Sequence, residues 1–483
     1  MSIRRTRARI SIFASAVGIV LVAWSGAAES GERKKRDILL SETDDARVGR
    51  ETAKIIPSQM GLYEDAELED HINELGQRLL RGVPRMGFSY QFKIVDQSEP
   101  NAFALPGGYI FISRGLLALA NSEDELANVM GHEIIHSAHR HAAMQQALVG
   151  TGPLAMSWTR AANMAGYGRD MERDADKGGQ ILAAAAGYDP MGMSTFMRQL
   201  SQLERIRIGT VRQTRFIDTH PGSGERAAVN AARSREIRRK NVPSLGDTKA
   251  SYLHRLEGLP VGPRPEGGVF DDDRFLQPDM DFQLRFPPGW HVSNTNQAVG
   301  AVSPKRDAMI FLMADQPEGD PEQAAADFVI KTSQDFPVDV TRSGPVKIGQ
   351  IEAWRIELKG GGRARGVTAN VTFIPYRGAT YRITGVAPAA AARTYTGRML
   401  STMRSFRPLT DEERANITGM RIHLVTARAG EDLEELGRRS GNAWNISATA
   451  AYNGLFTTHR FEGGELIKTT RIEPYRSQAE APR

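Results

Sequence analysis

The stretch NVMGHEIIHSAHRH, residues 128–141, constrains this chain more than any other. His132 and His136 are four positions apart, so on an α-helix they stack on one face and can aim both imidazoles at one cation. A tetrahedral zinc held this way is two positions short, one for a further protein ligand and one for water. Glu133 lies about 100° around the helix from His132, within reach of a proton on that water. Ser122 followed by Glu125 reads as a capping box, and no proline intervenes from there to about Leu148. The pattern predicts a helix that holds the histidines in its middle, where their geometry is fixed.

The third protein ligand must come from elsewhere. His139 falls near the face of His132 but about 10 Å along an unbroken helix, too far to share an ion whose bonds are about 2 Å. The pattern that continues through a glycine to a third histidine fails at Ala142. His139 and His141 therefore read as polar groups near a helix C-terminus, where positive charge suits the dipole. A better source is RDMERDAD at 169–176, which is followed by Lys-Gly-Gly. Glu172 and Asp176 are again four apart on a predicted helix. Glu172 can be the third ligand and Asp176 can orient a ligand histidine from behind, although such a pair taken alone is usually a solvated face.

Several separated segments, in order, resemble metallopeptidase family 48, the group of BepA-like periplasmic proteases, HtpX and the CAAX prenyl proteases. NAFALPGGYIF at 101–111 and Gly115-Leu-Leu117 are similar to the family's strand before the metal helix, and Gly131-His-Glu-Ile-Ile-His136 to that helix. Glu172-Arg-Asp-Ala-Asp176 resembles E-x-E-A-D with Asp174 in place of the central glutamate. Ala186-Gly-Tyr-Asp-Pro190 and Thr219-His-Pro221 with Arg226 also fit. The resemblance covers roughly residues 37–238. It implies the gluzincin fold, one Zn2+ per chain on His132, His136 and Glu172, and Glu133 as general base. It also implies that His220 lies near the zinc, either steadying the anionic intermediate or filling the open zinc position as a brake.

The chain opens on Arg4, Arg5, Arg7 and Arg9, an apolar run over 10–24 and small residues at 26–28 before Glu29. This is the pattern of a signal peptide over 1–28, with an apolar run shorter than a membrane span. The expected location is periplasmic, with an uncleaved N-terminal anchor as the alternative. Those arginines supply most of the formal charge of +5, so nothing supports nucleic-acid binding. Cysteine is absent, which excludes disulfides, thiolate ligands and cysteine catalysis.

Leu68, Ile72, Leu75 and Leu79 recur at helical spacing within 65–81, and 86–96 alternates like a strand. A strand over 108–112 follows the Pro106-Gly107-Gly108 turn. An edge strand beside a zinc can hold an extended substrate by backbone pairing. On the resemblance, Asn101, Gly108, Tyr109, Ile110 and Phe111 are the candidate substrate strand. Residues 151–170, between the metal helix and the Glu172 helix, are either ordinary packing or a cover over the cleft.

The expected organisation is α+β: a mainly helical zincin domain over 29–240 with a small edge-strand sheet, then a Pro- and Gly-rich linker over 241–278. An α/β accessory domain over 279–410 weakly resembles the PsbP/Mog-one-like sandwich. It has strands near 282–286, 308–314, 353–358, 367–374 and 380–386, and helices near 321–336 and 390–406. Residues 418–470 resemble LysM, a βααβ carbohydrate-binding module, although Asp432 stands where threonine is usual. A polar tail over 471–483 is expected to be disordered.

These features predict an exported zinc metalloendopeptidase; the family resemblance implies misfolded, stalled or misassembled envelope proteins as its substrates and admits outer-membrane assembly machinery as a partner. Two alternatives remain. One is a peptidoglycan endopeptidase anchored by the LysM-like module. The other is a chaperone-like assembly factor whose site is normally closed.

Overall fold

The structure is a computed structural model that describes residues 41–144, 168–206, 216, 220, 223–237, 248–295, 298–360 and 366–476. The expected signal peptide, nearly all of the candidate cover at 151–170 and the end of the chain from 477 lie outside the described residues.

Helices and a small sheet lead to the centre of the first unit. Helix α1 (Glu42–Ala53) begins at a Ser41 capping box, and α2 (Ala66–Leu80) begins at Asp65, whose side chain accepts from the Leu68 amide. Strands β1 (Gln91–Val95), β2 (Ala102–Leu105) and β3 (Tyr109–Ser113) form one sheet in the order β1-β3-β2. Helix α3 (Arg114–Leu119) leads into α4 (Glu123–Ala138), which carries the histidines. Then come α5 (Arg169–Ala185), α6 (Gly192–Ile206), α7 (Ser223–Glu236), α8 (Thr248–Arg255) and a short strand β4 (Pro260–Val261). Leu68, Ile72, Leu75 and Leu79 face one way on α2, as their spacing predicts. They pack against Phe92, Ile94, Ile110 and Ile112 of the sheet and Leu126, Val129 and Met130 of α4.

The accessory unit contains strands β5 (Val269–Asp271), β6 (Arg274–Gln277) and β7 (Phe282–Arg285), which form a small antiparallel sheet. Strands β8 (His291–Asn294), β9 (Val299–Val302) and β10 (Met309–Pro317) are followed by helix α9 (Pro321–Asp335). Strands β11 (Val338–Ile348), β12 (Ile351–Gly360), β13 (Val367–Tyr376) and β14 (Ala379–Pro388) precede α10 (Ala392–Arg404). A seven-stranded sheet runs β11-β12-β13-β14-β10-β9-β8. Alternate residues of a strand face opposite sides. Val371 and Phe373 of β13 pack with Ala324 and Ala325 of α9, while Ile374 packs with Met399 and Met403 of α10. The two helices thus cover opposite faces.

The chain ends with β15 (Thr418–Thr426), α11 (Leu433–Ser440), α12 (Ile446–Asn453) and β16 (Leu466–Pro474), the strand–helix–helix–strand order expected there. β16 runs past the expected start of the tail.

Contacts divide the described chain into two compact units. One is 264–418 with the residues after 473. The other joins the residues up to 263 with 419–473. The C-terminal βααβ segment is therefore part of the unit that carries the histidines, not a separate module. Ile422, Ala451 and Tyr452 belong to the same core as α2 and α4, and β15 pairs antiparallel with β4, Met420 opposite Val261. The buried Lys468 Nζ donates to the carbonyls of Ala118 (2.7 Å), Leu119 (3.2 Å) and Ala120 (2.7 Å). Burial pushes its ammonium down to about 7, with Glu125 holding it up. Three carbonyls can be satisfied at once only by the charged form with its three N–H groups. The expected linker at 241–278 also differs. Tyr252, Leu253 and Leu256 are fully buried, and β4 to β6 occupy 260–277; the prolines and glycines there mark turns between short elements.

Candidate metal centre

Helix α4 starts where the sequence places it, with Ser122 Oγ accepting from the Glu125 amide at 3.3 Å. The reciprocal half differs: the Glu125 carboxylate reaches back to the Asn121 amide at 2.8 Å, one residue before the cap. The helix is also shorter than expected. It ends at Ala138, and Arg140 takes a left-handed conformation (φ 55°). Asp45 of α1, itself buried, holds that turn by accepting from two nitrogens of Arg140.

Helix α5 lies against α4 so closely that no side chain fits at the crossing. A Cβ on Gly179 would sit 2.7 Å from the His132 amide nitrogen, and one on Gly131 would sit 2.9 Å from the Gly179 carbonyl. This approach sets the first turns of α5 over the histidines. His132 Nε2 and His136 Nε2 are 2.9 Å apart, and Glu172 Oε1 lies 3.4 Å from His136 Nε2. His220 joins them, with Nδ1 at 3.2 Å from His132 Nε2 and 2.9 Å from Glu172 Oε1. All four side chains are buried, and one ligand atom from each lies within 4.8 Å of the others. Ligand atoms at the corners of a tetrahedron with bonds of about 2.0–2.1 Å are about 3.3 Å apart. Two imidazoles, a carboxylate and a third imidazole at these separations fit zinc in chemistry and in spacing.

A second layer fixes the first. His132 Nδ1 lies 3.0 Å from Asp176 Oδ1, where the sequence reading puts an orienting carboxylate. From α7, Arg226 Nε donates to Asp176 at 2.9 Å and its Nη1 lies 2.6 Å from Glu172 Oε2; Asn230 Nδ2 donates to Asp176 at 3.0 Å. Arg226 thus ties down both carboxylates and leaves Glu172 Oε1 facing the imidazoles. Sequence reasoning matched Arg226 but gave it no role, because nothing local says which acid it will meet. Burial works against the charges on Glu172 and Asp176. It is outweighed by His220, His136 and His132 at Glu172, and by Arg226 and His132 at Asp176, so both carboxyls stay well below the usual range.

Glu133 is the exception. It is fully buried, and neither carboxylate oxygen has a hydrogen-bond partner among the described residues. His220 Nε2 approaches its Oε1 only to 3.5 Å. Burial raises its pKa, with His220 and His132 pulling the other way. An unsatisfied buried carboxylate is costly, and such groups concentrate at functional sites. His220 itself stacks on Phe216, ring centroids 4.3 Å apart, and its amide donates to the Phe216 carbonyl at 2.7 Å; Thr219 and Pro221 lie outside the described residues.

His139 stays out of this group, half-exposed and 2.5 Å from Asp174. His141 does not match its reading as a polar helix-end group: it is buried, with Nδ1 2.9 Å from His136 Nδ1. The candidate substrate strand also needs correcting. Tyr109, Ile110 and Phe111 lie in β3, the middle strand, paired on both sides, so their backbone has no free edge to offer. Gly108 belongs to the preceding turn, at φ 84°. Asn101 is bound into the sheet end, its amide donating to Ser113 Oγ at 2.8 Å. The edge strand that packs against α4 is β2.

Residues 64–166 and 159–235 match the family description Peptidase family M48. The chain is 30% identical over 208 residues to the putative beta-barrel assembly-enhancing protease of Vibrio cholerae, covering 38% of this chain and 42% of that protein. It is 28% identical over 211 residues to the Escherichia coli beta-barrel assembly-enhancing protease, covering 38% and 43%. It is 25% identical over 217 residues to the mitochondrial metalloendopeptidase OMA1 of Schizosaccharomyces pombe, covering 41% and 62%. The shared stretch spans less than half the length of the two bacterial relatives. A solved structure of cyanobacterial PsbP from Synechocystis aligns over 31% of this chain and 98% of its own, at 16% identity and a TM-score of 0.25, a likeness too slight to carry any argument about the accessory unit. No helix among the described residues is long and apolar enough to cross a membrane. The region over residues 64–235, which carries the histidines and both carboxylates, thus matches peptidase family M48.

Proposed function

We propose that this chain is an exported, zinc-dependent endopeptidase acting on unfolded or misassembled proteins of the bacterial envelope. The observation that carries the reading is the Glu133 carboxylate, buried without a hydrogen-bond partner among the described residues, beside four converging ligand atoms. His132, His136 and Glu172 would hold one zinc, with Asp176 and Arg226 fixing His132 and Glu172. When bound, zinc polarises the scissile carbonyl and lowers the pKa of water at the site towards 7. Glu133 takes the proton of the attacking water and delivers it to the leaving amine. Its burial raises its proton affinity towards what that double task needs. The β2 edge beside α4 is the proposed grip for an extended substrate. Such pairing reads backbone rather than side chains and suits a protease of unfolded chains.

His220 Nδ1 sits among the ligand atoms, which supports its role as a fourth ligand in a closed resting site. The two bacterial relatives are named as proteases that enhance beta-barrel assembly, which supports a proteolytic role linked to such assembly; envelope substrates and a periplasmic location are part of the proposal. The βααβ segment is proposed to be LysM-like, with peptidoglycan contact as its function. A closed site also favours a second reading, the chaperone-like assembly factor.

The test is digestion of an unfolded protein and of purified wall sacculi by the zinc-loaded protein and its Glu133→Gln variant. The expected result is cleavage of the protein alone, lost by at least ~10²-fold in the variant with zinc retained. Release of muropeptides would favour the wall hydrolase. A variant that loses cleavage yet still fulfils the cellular role would favour the assembly factor.

A further inference from the structure

The two metal-facing histidines are supported from behind in different ways. His132 Nδ1 meets a carboxylate, Asp176 Oδ1, at 3.0 Å. His136 Nδ1 meets another imidazole, His141 Nδ1, at 2.9 Å. On a continuous helix a residue five positions on lies about 140° around the axis and points away. The contact exists because α4 stops at Ala138 and Arg140 turns left-handed, a turn held by Asp45. His141 is folded back and buried, with its Nε2 3.4 Å from Asp174 Oδ2, and Asp174 Oδ2 is in turn 2.5 Å from His139 Nδ1.

Tautomers then decide what these atoms do. His136 offers Nε2 to the cluster, so a neutral His136 ring carries its proton on Nδ1 and must donate it. His141 Nδ1 is therefore the acceptor, and the His141 proton is on Nε2, facing Asp174. We propose that His141 is a positioning residue for His136: it accepts the Nδ1–H of that ligand and is held by Asp174, completing a chain from His136 through His141 to Asp174 and His139. The inference rests on the proposed role of His136 as a zinc ligand. It also speaks against another use of the same side chains. His139, His141 and Asp174 place ligand atoms near enough to share a cation, but a cation on His141 Nε2 needs the lone pair that this tautomer does not have.

The experiment measures zinc affinity by chelator competition in the full chain, independently of activity. His141→Phe keeps the bulk and loses the acceptor; it should weaken zinc binding ~10–100-fold, the range for removing such a partner. His141→Asn places an oxygen near the position of Nδ1 and should recover most of the loss, which a purely space-filling role would not predict. His139→Ala should change affinity little. Imidazole 15N spectra of the zinc-loaded wild type should show His136 protonated on Nδ1 and His141 on Nε2, a readout that does not depend on any variant folding. His141 found with its proton on Nδ1, a His141→Phe affinity within twofold of wild type, or a second zinc lost with His139→Ala would each overturn the inference. A wild type that binds no zinc at all would instead overturn the metallopeptidase reading.

Discussion

Two interactions hold the His220 ring in place. It is held among the ligand atoms by Glu172 and stacked against Phe216, yet the proposed chemistry needs that position open. His220→Ala leaves His132, His136 and Glu172 in place, so zinc should be retained and cleavage of an unfolded protein should rise above a weakly active wild type. Activity lost with zinc intact would instead assign His220 to the oxyanion. A second residue, remote from the centre, sets a pH dependence. His71 on α2 is buried, and burial pushes it down to about 4, with Arg255 and Arg78 adding to the effect. In the unfolded chain it titrates near 6.5. Between these values the unfolded state holds a proton that the folded state lacks, so stability falls as pH drops from about 6.5 to about 4 and this contribution is constant below. The full loss is at most about 3 kcal/mol. His71→Gln should show a smaller drop in urea midpoint between pH 7.5 and pH 4.5 than wild type. At this scale His132, Glu133 and His136 were legible because their relation is local to one helix. Arg226 and His141 were not, since their roles depend on an inter-helix contact and on one left-handed residue.

Among the elements, the crossing of α4 and α5 does the most. Lys177-Gly178-Gly179 follows the acidic pair in sequence, and only the structure gives the reason: Gly179 faces the backbone of α4. Gly179→Ala would place a Cβ 2.7 Å from the His132 amide nitrogen and 3.1 Å from the Asn128 carbonyl, atoms that cannot rotate away. The helices must part, at a cost of about 1–3 kcal/mol, and Glu172 should withdraw from the histidines. Thermal melts should show the destabilisation, and chelator competition a weaker zinc site. Substitution of the exposed Gly224, which has open space around it, is the control. Element legibility followed burial. Strands β10, β12, β13 and β14 declared themselves as alternating or apolar runs, whereas β11 is a mostly exposed edge of mixed polarity that the sequence reading did not pick out. The same logic misplaced the substrate strand: the sequence shows that 109–113 is a strand, but not that it has a neighbour on each side.

For the whole molecule, the sequence order and the spatial order disagree. The 264–418 unit is inserted between β4 and β15, which pair directly, at a place where a hairpin turn would otherwise stand. Periodicity could find the βααβ segment but not which core it joins. Replacing 264–418 with a short turn should therefore leave a folded, zinc-binding protein, while deleting 419–473 should not. The second deletion removes Ile422, Ala451 and Tyr452 from the core and leaves three carbonyls without Lys468. Circular dichroism and zinc content of the two deletions distinguish this from a modular arrangement. The pairing of β4 with β15 also sets an order of events during synthesis. The histidines and both carboxylates emerge early, but the core beneath them closes only when residues near 470 arrive. Under the proposed function, a chain interrupted during synthesis would carry every proposed catalytic side chain before the core beneath them could close, so proteolytic competence would come last.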